Sequence, residues 1–241
     1  MEILQIVLLI LVGIGAGFVQ RVSGFGLGIF AMLFLPYLTP DIASAATISC
    51  LFSCGTSTYN AIKYRKNIPF KVVLPLMCAA LVVIPFAVRY SVSVSAEFFT
   101  VLLGIVLIVL SIYFIFFDKR VSIKPTLLNS IVSGGLGGIL NGLFSTGGPP
   151  IVLYLSHAIT DNIIYFAGIQ FYFAVTNIYA TVFRAVNGVV TWNLICLAVI
   201  GFVGCMAGDV LGKLVFDKLD GRKLRLVIYI GMIISGLLMI F

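Results

Sequence analysis

Two stretches concentrate the residues that could hold a ligand. The first, Gly13 to Gly28, reads GIGAGFVQRVSGFGLG, and the second, Gly134 to Pro150, reads GGLGGILNGLFSTGGPP. Both are too rich in glycine and polar residues for the middle of an ordinary membrane helix, and too apolar at their flanks for a surface loop. If one helix ends and another begins within each stretch, the new helix start exposes backbone N–H groups without intrahelical partners at the positive end of its dipole. Ser23, Gly24 and Gly26 stand at the first start, and Ser145, Thr146, Gly147 and Gly148 at the second. Glycine lets backbone donors approach a ligand closely, serine and threonine add hydroxyls, and Pro149 suits a first helical turn. Gln20 and Asn141 add amides at matching positions, and Arg21 adds a full charge if it lies at membrane depth. The chemistry these residue types offer is anion binding.

Bond-making chemistry finds no support. Gly24-Phe25-Gly26 follows no strand and lacks the βαβ setting of a dinucleotide fingerprint, and no Walker lysine is present. No Ser-His-Asp arrangement and no His/Cys/carboxylate cluster at ligand spacing is written in the chain, so an enzyme, a metal site and a cofactor are not expected. The bland alternative for the glycines is close helix packing, because Gly13 with Gly17, Gly24 with Gly28, and Gly134 with Gly138 keep GxxxG spacing. The series Gly204, Gly208, Gly212 reads as packing.

The elements that must position these stretches follow from composition. Of 241 residues 61% are hydrophobic and 10% charged, against roughly 25% charged in soluble chains. Apolar runs recur that are long enough to span a bilayer, about 20 residues each. They are continuous rather than alternating, which disfavours a β-barrel. The expected fold is an all-α polytopic membrane protein in contact with lipid. The five cysteines all lie in apolar segments, which argues against a disulfide framework. Met1-Glu2 offers no basic region for a cleaved signal peptide.

Along the chain, apolar helices are expected at 3–19, 24–38, 41–64, 72–90 and 96–117, with an interruption at Gln20 to Ser23 and with Asp41 as a helix cap. A basic linker covers 118–125. The second half repeats the plan from 126 to 241, with an interruption at Asn141 to Gly148 and with Asp161 opening a long helix. At an offset of about 120 residues, Gly13 falls on Gly134, Gln20 on Asn141, Gly26 on Gly147, Asp41 on Asp161 and Arg65 on Arg184, as in transporters built from internal repeats. Five segments per half is an odd number, so the second repeat (126–241) is expected to be inverted relative to the first (1–117).

Charge tests the parity. With both termini outside, the inside loops hold Lys63, Arg65, Lys66, Lys71, Lys119, Arg120, Lys124, Lys213, Lys218, Arg222, Lys223 and Arg225, twelve of the fifteen basic residues. That bias accounts for the net charge of +7 without nucleic acid. The segment 24–38 gives only about 22 Å of helix, short of a core of about 30 Å. Broken or re-entrant helices are therefore favoured there, with their breaks buried in protein or lining a cavity.

Three further charges are candidates for gating or coupling. Arg65 and Arg184 end matching helices, and Arg184 lies on the side poor in basic residues. Asp209 precedes Lys213 by four residues, which permits an ion pair, while an intramembrane carboxylate is also a candidate proton-coupling group.

Gln20 to Gly28 followed by Pro36, echoed by Gly137 to Pro150, resembles the sulfite exporter TauE/SafE family of membrane permeases. The resemblance implies transport of small sulfur-containing oxyanions, sulfite or organosulfonates, across the cytoplasmic membrane, with fewer full crossings than ten. The expectation is a secondary transporter in which Ser23 to Gly26 and Ser145 to Gly148 face each other across one anion. An anion channel and a non-transporting scaffold subunit remain alternatives, and homo-oligomerisation is left open.

Overall fold

The computed structural model describes residues 3–116, 124–215 and 221–241. The basic linker at 118–125 lies largely outside them, as do 216–220 of the last charged loop. Among the described residues all regular structure is helical. The helices are α1 (Ile3–Ser23), α2 (Leu27–Phe34), α3 (Ile42–Lys63), α4 (Phe70–Ser93), α5 (Ala96–Phe116), α6 (Leu127–Phe144), α7 (Gly148–Ala158), α8 (Asn162–Val186), α9 (Trp192–Val215) and α10 (Gly221–Ile240). A short 3-10 turn, Leu35–Tyr37, carries Pro36 and ends α2.

The helix starts have local causes. The Asp41 carboxylate accepts from Ser44 N at 2.7 Å, and Asp161 accepts from Ile163 N and Ile164 N at 2.8 and 2.9 Å. Each satisfies donors that the first turn leaves orphaned.

Helices α1, α4, α5, α6, α8 and α9 are long and apolar enough to cross a membrane. Helix α3 has 22 residues, enough in length, but its Ser, Thr, Asn and Cys residues lower its hydropathy. Most of those residues are buried, so α3 is a central helix whose polar face its neighbours shield from lipid. Helices α2 and α7, with 8 and 11 residues, reach only about 12 and 16 Å. They are half-helices.

Packing follows a pattern. Helix α1 lies parallel against α9: a methyl group added to Gly13 or Gly17 would overlap the carbonyl of Gly201 or Cys205, and one on Gly208 would overlap the carbonyl of Ile14. Helix α6 lies parallel against α4 in the same manner, with Gly134 on Leu76 and Gly138 on Ala80. Helices α3 and α8 run antiparallel, joining Tyr64 to Phe166 at one end and Cys50 to Thr181 towards the other. Helices α5 and α10 are also antiparallel, with Phe114 stacked on Tyr229 and Gly104 against Gly236. The two ends of the bundle are named below by Asp41, where α3 begins, and Tyr64, where it ends.

Candidate functional site

Both glycine-rich stretches break: the first about four residues after the expected Gln20 to Ser23, the second within the expected Asn141 to Gly148. Gln20 to Ser23 are helical and close α1, and Asn141 lies in the last turn of α6. The first break is Gly24 to Gly26: Gly24 has φ 79° and Gly26, which caps α2, has φ 99°, conformations that glycine adopts without steric penalty. The second is Ser145 to Gly147. Ser145 has φ 58°, the one positive φ outside glycine among the described residues. Its N–H donates to Asn141 O at 2.9 Å and Thr146 N to Leu140 O at 3.3 Å, so the left-handed residue ends α6 while its last carbonyls stay bonded.

The two breaks touch. A methyl group on Gly28 would overlap the carbonyl of Ser145, and Gly148 abuts the ring of Phe25. Between them is a cavity of about 20 Å³, room for one water-sized group. The α2 start lines it through Gly26, Leu27 and Gly28, the other break through Ser145, Thr146 and Gly148, and the helix ends through Gln20 and Asn141. Helix geometry leaves Leu27, Gly28 and Ile29 as free N–H donors at the α2 start. The α7 start offers fewer, Gly148 and Ile151, because Pro149 and Pro150 have no N–H.

Side chains add a second set of groups. Asn141 is 1% exposed, and neither its amide nitrogen nor its amide oxygen has a hydrogen-bond partner. The hydroxyl of Thr146, equally buried, is also unpartnered. Such orphans are rare in proteins. Gln20 differs: its amide donates to Gln170 Oε1 at 3.1 Å and to Ser57 Oγ at 3.4 Å, while Gln170 donates to Gly24 O at 3.1 Å. Gln20 therefore ties α1 to α8 beside the cavity, while its counterpart is free. No carboxylate lines the cavity.

The remaining candidates lie elsewhere. Arg184 is fully buried and its Nη2 donates to the carbonyl of Gly142 at 2.8 Å, with Asn141 and Leu143 carbonyls at 3.5 and 3.4 Å. It caps the negative end of α6. Arg21 is half-buried, with its guanidinium 5.8 Å from the Phe166 ring centre and its stem against Gly212, outside the cavity. Arg65 is exposed in the turn after α3. Asp209 is half-buried on α9, and among the described residues no ion pair joins it to Lys213. Gly24 and Gly147 shape the breaks from behind, Gly147 lying on Gly137 and Asn141. The Ser23 side chain lies outside the described residues.

Two polar wall residues, Ser53 and Asn177, were not among the sequence candidates. Asn177 on α8 donates to Ser53 on α3 at 2.8 Å, and both line the cavity. The signal was in the spacing. Ser49, Ser53, Ser57 and Asn60 share one face of α3, and Gln170, Asn177, Thr181 and Arg184 share one face of α8. These faces meet in a buried polar seam.

Towards the Asp41 side opens a vestibule of about 610 Å³, walled by Ser44, Ser91 and Phe99 among others. Phe99 stacks on Phe144 with ring centres 4.7 Å apart. Phe144 is fully buried and precedes Ser145, so this aromatic pair links the vestibule wall to the cavity wall.

The sequence pattern described as "Sulfite exporter TauE/SafE" matches residues 9–239, nearly the whole chain. No curated protein and no solved structure matches it. Six long apolar helices and a family of membrane permeases make this a multi-pass membrane protein, and the chain belongs to the sulfite exporter TauE/SafE family.

Proposed function

We propose that the protein is a secondary transporter of small sulfur-containing anions, sulfite or a compact organosulfonate, held at mid-membrane between the starts of α2 and α7. One observation carries this reading: Asn141 is buried with both amide groups free, on the wall of a carboxylate-free cavity formed by two helix starts. Helix N-termini and a free amide N–H donate to an oxyanion. In this reading the site binds and releases its anion unchanged.

Alternating access follows from two inverted repeats, 1–117 and 126–241. The packing pattern supports them, since exchanging α1–α5 with α6–α10 maps α1 on α9 into α6 on α4, and maps the antiparallel pairs α3/α8 and α5/α10 onto themselves. In this reading the two breaks part to admit the anion, since the cavity as it stands has room for only a water-sized group, and the Phe99–Phe144 pair closes it towards the vestibule. The placement is the cytoplasmic membrane with both termini outside, which puts the Asp41 side outside and the Tyr64 side, with Lys63, Arg65 and Lys66, inside. Coupling is to an ion gradient or to the anion gradient itself.

The test is flux in liposomes containing purified protein. Saturable sulfite uptake with counter-exchange, and thermal stabilisation of the protein by sulfite, are expected. An ohmic current would instead indicate a channel. A folded protein with neither flux nor stabilisation by any oxyanion would overturn the reading.

A further inference from the structure

Arg184 has more hydrogen-bonding capacity than its surroundings use. It is fully buried, and while Nη2 binds the α6 carbonyls, Nε and Nη1 have no partner. The four described carboxylates cannot neutralise it: Asp41 and Asp161 cap α3 and α8, Glu97 is exposed at the α5 start, and Asp209 lies on α9. The α6 carbonyl end offsets about half a unit of charge. A buried cation without a counter-ion is expensive, and a protein retains one where an anion arrives.

Near the guanidinium lies the thiol of Cys50 on α3, which bonds to Thr181, three residues before Arg184 on α8. Cys50 is fully buried, and its sulfur lies 3.4 Å from Thr181 Oγ1 and 3.5 Å from Asn177 Oδ1. It also adjoins Ser145. Ser145 and Asn177 both line the cavity. A continuous polar path therefore leads from the cavity, past Ser145 and Asn177, to Cys50 and Arg184. Ser145 holds a left-handed φ of 58°, the kind of strained backbone that collects at moving sites.

We propose that Arg184, Cys50 and Ser145 form a second subsite for the transported anion, adjoining the cavity on its Asp41 side, and that Arg184 sets the selectivity for negative charge. The proposal rests on the anion-transport reading. When the α6–α7 break moves, a monoanionic or dianionic sulfur oxyanion accepts from the free Nε and Nη1 of Arg184 and from the hydroxyl of Ser145. The Cys50 thiol marks the place and makes it addressable.

The thiol supplies the test. In protein with Cys54, Cys78, Cys196 and Cys205 replaced by serine or alanine, Cys50 is treated with two methanethiosulfonates, one bearing a sulfonate and one a trimethylammonium group. The Cys50 thiolate attacks the sulfenyl sulfur, a mixed disulfide forms, and methanesulfinate leaves with the electron pair. Rates are normalised to each reagent's rate with free 2-mercaptoethanol. The anionic reagent is expected to be favoured about tenfold or more, in the range of focusing by a charged cleft. Methanesulfonate, which unlike sulfite attacks neither the reagents nor the mixed disulfide, is expected to slow it, and Arg184→Gln is expected to bring the two rates together. Arg184→Lys keeps the charge and is expected to keep the preference, which preserves the test if the glutamine variant misfolds. Equal rates, a cationic preference, or no labelling of folded protein by either reagent would overturn the subsite. Sulfite-induced stabilisation is measured on the same preparation: if it persists while the preference is absent, only the subsite fails; if both are absent, the transport reading fails with it.

Discussion

Gly28 and Ser145 meet where there is no room for a side chain: a methyl group on Gly28 would overlap the Ser145 carbonyl. One residue belongs to the first turn of α2 and the other to the end of α6, 117 positions apart in sequence (145 − 28). Their contact brings the two breaks around one cavity. Gly28→Ala is therefore expected to force the breaks apart, lowering stability by about 1–3 kcal/mol as overpacking does and abolishing stabilisation by sulfite. Gly135→Ala is the control, because a methyl group there meets nothing within 4 Å. It is expected to be neutral or to stabilise α6 by up to about 1 kcal/mol. Thermal unfolding with and without sulfite measures both.

Asn141 separates binding from folding. Its amide has no hydrogen-bond partner in the protein, so Asn141→Ala removes no protein hydrogen bond and is expected to change apparent melting by little. Loss of a hydrogen bond to a charged ligand, about 1.5–3 kcal/mol, is expected to weaken sulfite affinity roughly 10- to 150-fold. Gln20→Ala is expected to do the reverse, lowering stability first, because it breaks the links to Gln170 and Ser57. Equal effects of the two substitutions on stability would count against this division.

The Ser53–Asn177 bond crosses the α3/α8 seam at 2.8 Å. A double-alanine cycle is expected to give a coupling of about 0.6 kcal/mol, and no more than about 1.7, as measured for interhelical bonds in membranes. No coupling would place the two helices further apart in the working protein.

The Phe99–Phe144 pair is expected to act as the barrier on the Asp41 side. Phe144→Ala removes a fully buried ring, and the expected outcome is sulfite leak from liposomes without counter-anion, alongside a stability loss of about 3–5 kcal/mol. Phe99→Ala, at the vestibule wall, tests the same barrier if the first variant fails to fold. Retention of strictly coupled exchange in folded Phe99→Ala protein would show that the barrier is elsewhere.

Much of this architecture is written locally. Asp41 and Asp161 cap the helices expected of them, and the short segments after each break are half-helices because Pro36 and the Asp161 turn stop them. The exact break points are not local. Gln20 and Asn141 interrupt an apolar run whether they break a helix or face a buried cavity from inside one, and packing against α8 and α4 decides for the second. The match of Arg65 to Arg184 hides a difference of environment. Helix α3 ends at Lys63, leaving Arg65 in a surface turn, whereas α8 continues to Val186 and keeps Arg184 inside. Ser53 and Asn177 escaped notice because single polar residues in continuous helices carry little weight alone. Their significance comes from the partner helix, which spacing within one helix does not identify.

The most direct measurement is the position of a bound anion. Selenite replaces sulfite with an atom that can be located by anomalous diffraction from crystals of the protein. A single selenium site within hydrogen-bonding reach of the α2 start at Gly28, the Asn141 amide and the Thr146 hydroxyl is the expected result. A bound selenite at any site remote from both breaks, in protein that transports it, would contradict an anion held between Gly24–Gly28 and Ser145–Gly148.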